Sequence, residues 1–353
     1  MKAIEIRGRR VGSEAPVYVV AEISANHGQD FARAAKLVET AKVVGADAVK
    51  LQTYTPDTMT IDSTQRWFRI EGTIWHGRSL YELYKEAYTP WEWHPRLKVI
   101  ANDLGLDLFS TPFDEAAVDF LETVGVPAFK IASFEVVDIP LLRKVAKTGK
   151  PVIVSTGMAT LGEIDEAVRT LRESGAEQVA LLKCTSGYPA EPAEMHLKTI
   201  PSLGAAFDLP VGLSDHTLGI SIPVAAVALG ATIIEKHFTL SRADGGPDAA
   251  FSLEPDEFKA MVDAVRTTEL ALGTVRFGPD REEAASTAYR RSLFVVEDVK
   301  AGETFTATNV RAIRPAHGLH TRYLDQVIGR QAAVDIERGT PLSWDLVSGR
   351  KGL

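Results

Sequence analysis

The chain is 353 residues long, 45% hydrophobic, carries a formal net charge of -8 and contains one cysteine. That length buries a large core with room for a second, smaller unit, and the acidic balance disfavours nonspecific binding to nucleic acid or anionic membrane. An anionic ligand must therefore be drawn by a local basic cluster, and the lone Cys184, unable to form an intrachain disulfide, fits a reducing cytoplasm.

From the N-terminus, MKAIEIRGRRVG has charges but no apolar run behind it, and the longest apolar stretch, SIPVAAVALGATII, is too short for a bilayer and runs into Glu235 and Lys236. Neither a secretion signal nor a membrane anchor is expected. Eight short β-branched or apolar runs, VYVVAEIS, DAVKLQTY, LDLFSTP, AFKIAS, PVIVSTG, VALLKCTSG, PVGLSDHT and TIIEKHFTL, read as strands buried on both faces. Amphipathic segments of helical period lie between most of them. DFARAAKLVETAKVVG, DEAAVDFLETVG and LGEIDEAVRTLRESG end at Gly45, Gly125 and Gly175, where glycine signals a helix C-terminus. Eight βα units in roughly 270 residues fit a (β/α)8 TIM-type barrel. A doubly wound open sheet is the alternative, but no G-x-G-x-x-G follows the first strand.

An insertion at about 55 to 92, rich in Trp and Tyr, interrupts the rhythm after the second strand, at the end where such barrels carry functional loops. The last helical run, DEFKAMVDAVRTTELALG, closes a barrel domain at 1–273; 274–288 reads as a linker and 289–353 as a small β-rich domain. In that domain VKAGETFTATNV and IERGTPLSWDLV echo each other, which suggests a pseudo-symmetric fold.

The apolar strands finish in polar residues: Glu22 and Asn26, Lys50 and Gln52, Thr111, Lys130 and Ser133, Ser155, Lys183 and Thr185, Ser214 and His216, Glu235 and His237. In a barrel of this kind, strand ends are where chemistry sits. Lys50 and Gln52 share one strand face, as do Ser214 and His216, and Glu235 and His237, so each pair can point into one mouth. Two imidazoles at neighbouring strand ends suit a divalent metal, with Glu22 available to the ion or its water; two satisfied structural histidines are the bland alternative. Lys50 and Lys130 with Ser133, Ser155 and Ser214 suit a phosphorylated carboxylate. Cys184 reads as a small apolar filler.

The motifs AEISANHGQD, VKLQTYTPDTMT, LFSTPFD, FKIASFEVVDIPLL, VIVSTGM, LLKCTSGYPA, GLSDHT and EKHFTLSR, in this order, resemble the sialic-acid synthase family, which condenses phosphoenolpyruvate with an N-acetylated amino sugar. The C-terminal segment resembles that family's antifreeze-like (SAF) domain, and ADGGPDAAFSLEP resembles the branch acting on a diacetamido-trideoxy hexose, the pseudaminic acid synthases.

The resemblance implies that His216 and His237 hold a divalent ion, Mn2+ or Mg2+. It places Lys50 and Thr111 at the phosphoenolpyruvate carboxylate and Lys130, Ser133, Ser155 and Ser214 around its phosphate. Ser186 stands near that phosphate where sialic acid synthases tend to carry Asn. Gln52, Glu135, Tyr188 and Asp248 match positions facing the sugar, and Arg314 matches an arginine that the SAF domain offers to the partner's site across a homodimer. Glu22 is the candidate for the water proton. The rivals are a class I aldolase using Lys183 as a Schiff base, a phosphosugar-using relative needing a second anion site, N-acetylneuraminate or legionaminic acid synthesis, and a non-enzymatic ice- or carbohydrate-binding module.

Overall fold

A computed structural model describes residues 3–349. Contacts divide the chain into two compact units, Met1–Gly273 and Thr274–Leu353. The first opens with an antiparallel hairpin, β1 (Ile4–Ile6) and β2 (Arg9–Val11), whose turn at Arg7 and Gly8 takes positive φ. Three-residue strands are too short to leave a periodic signal, so this hairpin is not legible in the sequence.

Eight parallel strands then close a barrel: β3 (Tyr18–Glu22), β4 (Ala48–Thr53), β5 (Asp107–Pro112), β6 (Phe129–Ile131), β7 (Val152–Ser155), β8 (Val179–Cys184), β9 (Val211–Asp215) and β10 (Ile233–His237), with β10 returning to β3. This is the (β/α)8 architecture the eight apolar runs predict. The open-sheet alternative fails because β10 pairs with β3 along its whole length.

Helices wrap the strands for local reasons. Asp30, Asp114 and Thr160 cap the N-termini of helices Phe31–Val43, Glu115–Val124 and Leu161–Glu173 by accepting from backbone amides. Gly125 ends the second of these at φ 72, a left-handed conformation that favours glycine. One face of each helix is buried, as with Leu37, Val38 and Ala41, or Val118 and Leu121, in one core shared with the strands. Removing Leu121 down to Ala would cost ~2–5 kcal/mol. The insertion is not irregular throughout: it holds helices Pro56–Met59 and Leu80–Ala87, the second closed by a reciprocal Ser79–Glu82 capping box.

In the second unit, a short helix Arg281–Ser286 capped by Asp280 lies in the segment read as a linker, and the antiparallel pair β11 (Ser292–Val295) and β12 (Val310–Ile313) follows. The twelve-residue echo has a structural meaning. Val299 and Ile336 exchange backbone hydrogen bonds with each other. Gly302 and Gly339 take φ 82 and 91, and the next apolar partners, Phe305 with Leu342 and Val310 with Val347, meet in one small core. Equivalent residues thus occupy equivalent places around a local two-fold relation. No helix among the described residues is long and apolar enough to cross a membrane.

Candidate active site at the barrel mouth

Side-chain parity decides which polar residues meet. β6 and β10 are not neighbours in the sheet, so the 3.9 Å approach of Lys130 Nζ to Glu235 Oε1 crosses the barrel interior. The same interior face brings Lys50 Nζ to 2.8 Å from Glu22 Oε2 and 3.1 Å from Glu235 Oε1, with Thr111 Oγ1 at 3.3 Å. Gln52 donates to Glu22 Oε1 and Ser214 Oγ donates to Glu235 Oε1, both at 3.1 Å. The four charged side chains are almost wholly buried.

Burial of this kind is tolerated only because the charges are paired. Burial alone would lower Lys50, but Glu22 and Glu235 outweigh it and hold the ammonium above its usual range. Lys130 is pushed down to about 8 by burial, against the pull of Glu235. Burial also raises Glu22, with Lys50 opposing and Glu235 adding to the rise; for Glu235 burial is outweighed by Lys130 and Lys50, which hold it low. With both carboxylates ionised, two ammoniums face two carboxylates, and the cluster by itself offers an anion no surplus charge.

Beside Lys130 lies a small hydroxyl-lined hollow. Lys130 Nζ donates to Ser155 Oγ at 2.6 Å and to Ile131 O at 3.0 Å, and the Gly157 amide donates to Ser133 Oγ at 3.0 Å. A Cβ on Gly157 would come within 2.4 Å of Ser186 Oγ and 2.7 Å of Ser133 Oγ. Only glycine lets the backbone approach these hydroxyls so closely. Ser155 thus meets Lys130, and Ser133 and Ser186 converge on Gly157, hydroxyls and an ammonium of the kind suited to an oxyanion.

The two imidazoles sit side by side, ring centroids 5.3 Å apart. His216 Nδ1 is 3.0 Å from the Thr185 carbonyl, which can only accept, so Nδ1 carries a proton and Nε2 is the nitrogen left to a ligand. His237 is held well below its usual pKa by burial and by His216 and Lys50, and its Nδ1 is buried without a hydrogen-bond partner. Among the described residues no group of three or more His, Cys, Asp or Glu side chains is arranged around a metal. Burial would lower His216 as well, but Cys184, the Thr185 carbonyl and Asp215 outweigh it and raise it. Two adjacent buried imidazoles, His237 with an unpartnered ring nitrogen, nevertheless fit a divalent ion that retains several water ligands.

An aromatic wall closes one side. Tyr188 lies tilted against His216 with ring centroids 4.5 Å apart, Phe251 lies 4.9 Å from His237, and Trp75 of the insertion lies 5.7 Å from Tyr188 while donating its indole N–H to Pro247 O at 2.9 Å. Asp248 follows directly, its carboxyl pushed up to about 7 by burial; Glu135 is likewise raised to about 7 by burial, with Oε2 unpartnered.

Several residues land differently from their sequence reading. Glu235, expected on the face of His237 but given no role, is central to the cluster, where it meets both Lys50 and Lys130. Cys184 is buried, yet its Sγ lies 3.9 Å from His216 Nδ1 rather than within apolar filler, since its strand parity points it to the mouth. Burial pushes that thiol up, but His216, Ser133 and Lys130 outweigh it and bring it to about 7. Lys183, one residue earlier, donates to Cys184 O and Thr185 Oγ1, away from the charged cluster. Asn26 holds Phe238 O and Ser252 Oγ and so ties loops together. Arg314 belongs to the second unit, where it lines a surface recess with Ser286, Tyr289, Arg290 and Arg291. Trp75 and Phe251 carried no signal that could have placed them, because one arrives on a turn and the other on a single three-residue 3-10 turn, both too short for a periodic pattern.

Fold and mouth together define an enzyme of the (β/α)8 class. The model of the NeuB family matches residues 37–277, and that of the SAF domain matches residues 290–348. The pseudaminic acid synthases of Campylobacter jejuni and Helicobacter pylori are 45% and 44% identical to the chain, over 92% and 94% of its length and 95% and 97% of theirs. The crystal structure of N-acetylneuraminic acid synthetase from Leptospira borgpetersenii superposes with a TM-score of 0.73 at 31% identity, covering 81% of this chain and 95% of that one. The chain belongs to the NeuB family and carries a SAF domain C-terminal to its barrel in the sequence.

Proposed function

We propose that this chain acts as a pseudaminic acid synthase, joining phosphoenolpyruvate to 2,4-diacetamido-2,4,6-trideoxy-L-altrose with release of inorganic phosphate. The observation that carries the reading is the buried Glu22, Lys50, Lys130 and Glu235 cluster beside two imidazoles, in a chain 45% identical to a pseudaminic acid synthase.

In this reading Lys50 and Thr111 would hold the phosphoenolpyruvate carboxylate, and Lys130, Ser133, Ser155, Ser186 and Ser214 would surround its phosphate. Gln52, Glu135, Tyr188 and Asp248 would face the sugar. His216 and His237 would hold a divalent ion, Mn2+ or Mg2+, which when bound supplies Lewis acidity at the sugar aldehyde. The charge balance supports that assignment: Glu22 and Glu235 already offset the two lysines, so a fully ionised phosphoenolpyruvate calls for further positive charge nearby.

The residues of the chain would then position the reaction. Lys50 and Lys130 clamp the two anionic ends of phosphoenolpyruvate so that its C3 attacks C1 of the open-chain sugar, forming the C–C bond as the aldehyde oxygen takes a proton. Cationic character at the former enol C2 is captured by water, whose proton Glu22 accepts, a role that its raised pKa supports. The resulting hemiketal phosphate breaks its C–O bond to phosphate and leaves the 2-keto acid. Arg314 would serve the sugar site of a second copy in a homodimer, with 1–273 as barrel, 274–288 as linker and 289–353 as the SAF domain.

The test is phosphate release from phosphoenolpyruvate with the altrose derivative and with N-acetylmannosamine, each with Mn2+ and with excess chelator. Metal-dependent release with the altrose derivative alone is expected. Release only with N-acetylmannosamine overturns the sugar assignment, and release that survives the chelator overturns the role of the imidazoles.

A further inference from the structure

Behind the two histidines, on the outer face of the same two strands, lies a second charged pair. Asp215 and Lys236 are direct cross-strand partners on β9 and β10, and both side chains are fully inaccessible to solvent. Lys236 Nζ lies 2.5 Å from Asp215 Oδ2 and also donates to the Thr217 carbonyl. Asp215 Oδ1 accepts from the Thr217 amide at 3.0 Å, and Oδ2 accepts from the Thr217 hydroxyl at 3.1 Å. Each member of the pair therefore adjoins one histidine in sequence, and the network grips the residues on both sides of His216.

Such a pair is poor value as a source of stability, because the desolvation of two charges consumes most of their attraction. Its geometry does something an apolar contact would not. A one-residue slip between β9 and β10 would leave His216 and His237 on opposite faces of the sheet, and a directional ion pair with four contacts on one site opposes it. Gly212 guards the other end of the same strand pair: a Cβ there would meet Ile233 O at 2.3 Å, so the strands approach more closely than any side chain would allow. Close approach at one end and the ion pair at the other fix how the imidazoles face each other.

We propose that Asp215 and Lys236 are positioning residues for the imidazole pair, their buried ion pair with Thr217 setting the separation and orientation of His216 and His237 and thereby the affinity of that pair for a divalent ion. The inference rests on the metal reading above. It assigns no chemical step to either residue.

The test measures Mn2+ binding to the full chain by electron paramagnetic resonance of the free ion, for the wild type, His237→Ala, the apolar double variant Asp215→Leu/Lys236→Met and the near-isosteric Asp215→Asn. Thermal melts accompany each. The double variant is expected to melt cooperatively, since apolar replacement of a buried ion pair leaves stability nearly unchanged, yet to bind Mn2+ roughly 10–100-fold more weakly. Asp215→Asn is expected to weaken binding in the same direction and keeps the test open if the double variant does not fold. Wild-type affinity in a folded Asp215→Asn or double variant overturns the proposal while leaving the metal reading intact. A wild type that binds no Mn2+, or a His237→Ala variant that binds as well as the wild type, overturns both.

Discussion

At the N-terminal end of the barrel strands, Asp47 pairs with Arg9 at 2.5 Å and Arg266 at 3.0 Å and accepts from the Val19 amide, while Asp107 accepts from the Tyr18 hydroxyl at 2.7 Å. At the C-terminal end, Glu235 Oε2, Glu135 Oε2 and His237 Nδ1 are buried with no hydrogen-bond partner, and two lysines are crowded against two carboxylates. The first set of charges is closed on itself and holds the hairpin and the last barrel helix to the strands. The second leaves capacity unspent, and in a protein interior unspent polar capacity is costly unless a ligand uses it. One rim is thus closed on itself, and the other keeps the unpartnered polar groups on which the proposed chemistry rests.

The widest departure between the two rims is expected from His237→Ala. Loss of one imidazole at the open rim should lower kcat on the order of 10³-fold at saturating phosphoenolpyruvate, with an unchanged circular dichroism spectrum. Phosphate release measures it, and a near-normal kcat would make that histidine structural.

His27 sharpens the contrast within the open end. Its Nδ1 accepts from the Gln29 amide and its Nε2 meets Thr89 Oγ1, so both nitrogens are used, and burial with nearby His94 and Arg33 pushes it down to about 4. Between about 4 and 6.5 the unfolded chain binds the proton that the folded chain refuses. Its contribution is therefore full above pH 6.5 and drains away as the pH falls toward 4, by about 3 kcal/mol. Urea titrations at pH 7 and pH 5 read this directly, and equal midpoints would show that the site accepts a charge.

A comparable or slightly smaller effect belongs to the closed rim. Asp47→Ala should cost roughly 2–3 kcal/mol of stability by freeing Arg9, Arg266 and the Val19 amide, while kcat of the folded variant stays within about twofold. A folded Asp47→Ala enzyme with collapsed kcat would dissolve the distinction between the rims. The mildest effect is in the pH profile. Lys130, at about 8, is charged below that pH, so kcat/KM for phosphoenolpyruvate should hold at lower pH and fall up to about tenfold per unit above it. In Lys130→Arg the break near 8 should vanish, because a guanidinium keeps its proton.

Much of this was legible beforehand, and the particular residues show why. The eight strands announced themselves because a parallel strand buried on both faces must be apolar throughout, so Lys50, Lys130, Glu235 and the histidines stood out at the ends of such runs. The echo of VKAGETFTATNV by IERGTPLSWDLV was legible because equivalent buried positions and equivalent positive-φ turns demand equivalent residue types. Cys184 was misread since nothing local distinguishes an apolar filler from a thiol beside an imidazole. Trp75 reaches Tyr188 across more than a hundred residues of chain, a distance that no periodicity spans.

What the sequence determined by itself was therefore the rhythm: strand, helix and cap, and the alternation that puts Ser214, His216, Glu235 and His237 on one face. Tertiary structure alone decided the partners. Lys130 meets Glu235 only because the sheet closes on itself, Lys236 finds Asp215 only because β9 and β10 lie in one register, and the pKa of each group follows from those neighbours. Short-range geometry is written in residue order, whereas the electrostatics of a site depend on distances that exist only once the barrel has closed.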